Sequence, residues 1–154
     1  MRKRWVPIGV LTGALFVINA AARLVSRLAD IADADAQTKL GLIAMAASAV
    51  VMIGAAAWWS VRHPVGRVVA DLGLAGIVGA LLTSLVGPLI SGSGPFAGGP
   101  GFFVAQVLLF LGITGVGGLL GYLSVVALGR DWRGRGLKQY AQGYSSRPRR
   151  VVKG

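Results

Sequence analysis

Asn19, Arg23 and Arg27 recur at four-residue spacing, so on a helix they share one face, with Ser26 and Asp30 on the adjoining strip. Two guanidinium groups so placed could bind an anion or line a polar vestibule. The competing chemistry is local: both arginines snorkel to a membrane–water interface, and Arg27 pairs with Asp30. The local reading is favoured, because charge at the end of an apolar span costs far less than charge at its middle. Asn19 lies deeper and is placed to hydrogen-bond across helices.

Asp71 is the other charged group set into an apolar run, with Arg67 one turn before it, about 6 Å along a helix axis. Intramembrane carboxylates mark proton and cation pathways, but the nearby arginine favours a local ion pair. No second acid in another apolar run offers a relay partner. Asp30, Asp33 and Asp35 crowd one short segment, yet the central Gly and terminal Glu of a calcium loop are missing, so they read as a solvated acidic turn. His63 is the only histidine and there is no cysteine, which excludes an ordinary zinc site, disulfides and thiolate chemistry. The run GVGGLLG at 115–121 has the wrong spacing for a dinucleotide fingerprint and no strand before it, and the glycines of 91–101 lack the Lys-Ser/Thr ending of a P-loop. No Ser/His/Asp set or facing carboxylate pair is visible. The expectation is a protein without catalytic residues, metal or cofactor.

The elements that carry these residues follow from composition. The 154 residues are 55% apolar, include 24 glycines and have a mean hydropathy of +0.69. A soluble domain this small has too much surface to carry so few charges. The charges cluster between long uncharged runs, which predicts an all-α integral membrane protein with four transmembrane helices over about 5–26, 40–61, 68–90 and 102–129. The first uncharged run is barely long enough to cross, at about 27 Å of helix. The fourth would reach about 42 Å against roughly 30 Å of hydrocarbon, so it either protrudes or bends at its glycines. Residues 1–129 form the membrane domain and 130–154 a flexible basic tail. SGSGPFAGGPG at 91–101 reads as a flexible turn.

Orientation follows from Lys and Arg. Placing both termini inside leaves Arg2, Lys3, Arg4, Arg62, Arg67 and all eight basic residues of the tail cytoplasmic, and only Arg23, Arg27 and Lys39 outside. A rival reading takes Arg2, Lys3, Arg4, the apolar run and Ala20 to Ala22 as a cleaved signal peptide. The run exceeds the usual core length and arginines would follow the cut, so the helix is read as retained. Ala, Gly, Val and Arg richness suggests a bacterial protein, hence a multi-pass protein of the cell inner membrane.

Lipid is as apolar as leucine, so small residues that let backbones approach do much of the work of helix association. Gly9 with Gly13, Ala75 with Gly79 and Gly117 with Gly121 each put two small residues on one helix face. These faces are expected to pack the four helices together, with contacts to other membrane proteins or self-association as the alternative. In the tail, Arg130, Arg133, Arg135, Lys138, Arg147, Arg149, Arg150 and Lys153 are interleaved with Trp132, Tyr140 and Tyr144. A polybasic segment beside the membrane gains about 1 kcal/mol per basic residue at an anionic leaflet, so membrane lipids of the inner leaflet are the expected contact. Nucleic acid is the less favoured partner. The leading expectation is an accessory or assembly subunit of a membrane complex. A small homo-oligomeric channel or transporter comes next, and a membrane anchor recruiting nucleic acid third.

Overall fold

The computed structural model of the chain describes residues 2–29 and 33–132, together with 134, 136, 137, 140 and 141. Four α-helices form α1 (Arg2–Leu28), α2 (Ala34–Arg62), α3 (Val65–Ile90) and α4 (Pro100–Ala127). Each is long and apolar enough to cross a membrane. Among the described residues there is no strand.

Local chemistry explains where the helices begin and end. Asp33 caps α2 by accepting a hydrogen bond from the Ala36 amide at 3.0 Å. That cap starts α2 six residues before the uncharged run, so Asp35 and Lys39 lie on the helix. His63 ends α2 in an extended conformation, as the residue before Pro64 must, and its amide bonds the Trp59 carbonyl at 2.8 Å. α3 therefore starts only two residues after α2 stops. At the other end of α3, the 91–99 connection holds its own bonds, from the Ala97 amide to Gly94 and from the Gly99 amide to Phe96. Gly99 takes φ +86°, open to glycine, and Pro100 follows as a ready-made first helical residue. The glycines of the fourth span do not interrupt its helix. α4 continues as one helix through Gly115, Gly117, Gly118 and Gly121 and stops at Ala127.

Which helices touch can be read from residue pairs. Thr12 meets Ala75, Leu15 meets Gly79, Arg23 meets Gly87 and Arg27 meets Ile90, so α1 and α3 run side by side in the same direction. Ala49 opposite Gly117 and Ile53 opposite Gly121 make α2 and α4 a second parallel pair. α3 and α4 are antiparallel, with Gly76 near Thr114 and Gly79 near Phe110. α1 and α4 occupy opposite corners, while α2 and α3 meet across the middle through Met52 and Gly76. One end of the bundle thus carries the N-terminus, the α2–α3 connection and the root of the tail (the terminal end); the other carries the remaining two connections (the far end).

The interior mixes Leu15, Met52, Ala56, Ala75, Ala80 and Phe110 with the buried hydroxyls of Thr12, Ser48, Ser60, Thr83, Ser84 and Thr114. Ser48, Ser60 and Thr114 donate to the carbonyl one turn back, which satisfies the hydroxyl within its own helix. Large apolar side chains point the other way, with Val10, Ile43, Val50 and Leu108 each more than 60% exposed. Small and polar inside, large and apolar outside is the inverse of a water-soluble domain.

Candidate functional site

Polar chemistry and unfilled space occur at several places among the described residues. At the far end, Asn19 on α1 donates through Nδ2 to the Leu15 carbonyl at 2.9 Å and to Ser48 Oγ on α2 at 3.1 Å. Ser48 passes the chain on to the Ala44 carbonyl at 2.9 Å, which makes a hydrogen-bonded polar layer between α1 and α2. One turn further out, Arg23 crosses α3 at Gly87. A Cβ there would lie 2.7 Å from its Nε, so the guanidinium fits only because position 87 has no side chain. Arg27 reaches the end of α3 and donates to the Ile90 carbonyl at 2.8 Å. The last carbonyls of a helix lack partners within it and carry the negative end of the dipole. α3 has no basic residue in its own last turn, so α1 supplies both. The described bond of Arg27 thus goes to α3, and Asp30, its expected partner, lies outside the described residues. Above the polar layer a cavity of about 240 Å³ opens, lined by Asn19, Arg23, Ser26, Gln37, Ser91 and Gln106 with apolar residues of α2.

At the terminal end, Asp71 is only 2% exposed. Its carboxylate accepts from Trp59 Nε1 at 3.4 Å and lies 3.5 Å from Arg67 Nε one turn back. The two tryptophans at the end of α2 therefore part company. Trp59 turns inward to the carboxylate, while Trp58 stays near half exposed with the Arg62 guanidinium 4.1 Å above its ring. His63, Pro64 and Tyr122 surround a small space with Asp131 and Trp132, which seats the root of the tail against the α2–α3 connection. Beyond it, Gly134, Gly136, Leu137, Tyr140 and Ala141 have helical backbone. Of the basic tail residues Arg130 is described and exposed, whereas Arg133, Arg135, Lys138, Arg147, Arg149, Arg150 and Lys153 lie outside the described residues.

A further place is a groove of about 460 Å³ where α3 and α4 diverge, floored by Met52 and Thr114 and walled by Val68, Leu72, Leu111 and Leu119. Gly73 and Gly115 line it with open space where a Cβ would stand. The small residues singled out in the sequence thus separate into groups. Gly117 and Gly121 press on the α2 backbone: a Cβ at Gly117 would sit 2.8 Å from the Ala49 carbonyl oxygen, and one at Gly121 would overlap the Ile53 carbonyl. Ala75 is fully buried and Gly79 packs on Leu15 and Phe110. Gly9 and Gly13 do not form a helix contact within the subunit, since nothing lies within 4 Å of either Cβ position. The sequence places Trp59, with Trp58, at a membrane–water boundary and does not single out Ser48, Gly87 or Gln106. Each sits within an apolar run, and only the register between helices gives it a partner.

Among the described residues no three His, Cys, Asp or Glu side chains converge on a point that could hold a metal ion. No protein-family model, curated protein or solved structure matches this chain.

Proposed function

We propose that this chain is a non-enzymatic four-span membrane protein with both termini cytoplasmic, acting as an accessory or assembly subunit of a membrane complex. The observation that carries the reading is the α3–α4 groove, an apolar trough in which Gly73 and Gly115 pack against nothing in their own subunit. In lipid, exposed glycines of this kind let a second helix approach closely, and van der Waals contact then replaces the missing hydrophobic drive. The partner is accordingly a transmembrane helix of another protein. The exterior of large apolar side chains supports residence in the bilayer, and Arg62 and Arg67 beside the terminal end support its cytoplasmic placement. The basic tail then lies along the anionic inner leaflet.

Purification from native membranes in mild detergent tests the assembly reading. The expected outcome is a second membrane protein at fixed stoichiometry, lost in the Gly73→Leu and Gly115→Leu variants while the chain itself stays folded. A homo-oligomer alone would instead favour a channel or transporter. That second reading draws on the far-end cavity and its polar lining. Salt-dependent retention of DNA by the purified chain would favour the nucleic-acid anchor.

A further inference from the structure

We propose that the far-end cavity is a binding site for a phosphate group, held by Arg23 and independent of the α3–α4 groove. Arg23 is half-buried within a helix long and apolar enough to span a membrane, and among the described residues no carboxylate pairs with it. Arg27, one turn away, is engaged with the Ile90 carbonyl, and the Arg23 guanidinium lies against Gly87 in the last turn of α3, at the negative end of its dipole. A cation in such a place attracts an anion from whatever the cavity opens onto.

The lining fits that anion. No acid lines the cavity among the described residues, and the floor is closed by the Asn19 amide, whose two donors are already committed to Leu15 and Ser48. Ser26, Ser91 and Gln106 line the same cavity as Arg23, and their hydroxyls and amide can donate hydrogen bonds. Several donors beside a planar fork suit a tetrahedral oxyanion better than a monatomic ion. At about 240 Å³ the space is below the roughly 300–1,000 Å³ that encloses drug-sized ligands, so it suits a phosphate or a lipid headgroup phosphate, not an extended molecule. Gly87 is part of the site, because any side chain there would displace the guanidinium from the cavity wall.

The test uses the full-length protein in neutral detergent at constant ionic strength, titrated with inorganic phosphate and, separately, with short-chain phosphatidylglycerol against phosphatidylcholine. Thermal stability is the readout, since a ligand that binds only the folded state raises the melting midpoint saturably. Arg23→Gln should weaken the apparent affinity at least about tenfold, and Gln106→Leu about threefold, as expected for a charge-assisted and a neutral bond. Arg62→Gln, at the opposite end, should leave it unchanged. If Arg23→Gln does not fold, Arg23→Lys and Gln106→Leu carry the comparison. Saturable, Arg23-dependent stabilisation by inorganic phosphate supports a soluble oxyanion, and the same dependence for phosphatidylglycerol alone supports a lipid headgroup. Stabilisation by neither, or by either one equally in wild type and the Arg23 and Gln106 variants, overturns the proposal.

Discussion

α4 has two glycine faces, and they do opposite things. Gly117 and Gly121 lie flush against the α2 backbone, with the Cα of Ala49 and Ile53 3.3 Å and 2.9 Å from where their Cβ atoms would stand. Gly115 lines the groove toward α3 and faces open space. The residues are chemically identical and within two turns of one another, so the difference lies wholly in what stands opposite. A glycine pair on an apolar helix therefore states that close approach is possible, not what approaches. One face holds the subunit together, and the other meets nothing among the described residues.

Substitutions that fill each face test that division. The largest effect is expected from Gly121→Leu, whose side chain cannot avoid the Ile53 carbonyl. It should cost at least the upper part of the roughly 1–3 kcal/mol typical of overpacking and lower the melting midpoint in detergent sharply. Gly117→Ala adds a single methyl against the Ala49 carbonyl and should cost about 1–2 kcal/mol in the same assay. Gly115→Leu should leave the midpoint within the range of about 0.5 kcal/mol seen for exposed sites, yet remove the co-purifying protein. Leu119→Ala, at an exposed position in the wall of the groove, should change the midpoint least. Equal destabilisation by Gly121→Leu and Gly115→Leu would erase the distinction.

The four helices were legible in the sequence because runs without charge are a one-dimensional signal. Their ends were less so. α2 begins at Ala34 because Asp33 caps it, a polar contact that outweighs the apparent boundary at Leu40. Helix pairing was not legible, since every span offers small residues and nothing in the chain says that α1 lies along α3. That pairing decides the far-end site. It brings Arg23 onto Gly87 and Arg27 onto Ile90, more than sixty residues away in sequence. Asp71 shows the complementary case. Its arginine was visible one turn away, while Trp59 needed the fold to bring α2 across to α3.

Every comparison above takes hydrocarbon as the medium around the helices, with the two ends of the bundle on opposite sides of it. The chain has no cysteine, so single substitutions report accessibility without background. Ala97→Cys, in the α3–α4 connection, should react with a membrane-impermeant maleimide in intact cells. Gly66→Cys, at the start of α3, should react only after permeabilisation. Equal labelling of both variants in intact cells, or release of the protein from membranes by alkaline carbonate, would contradict the account.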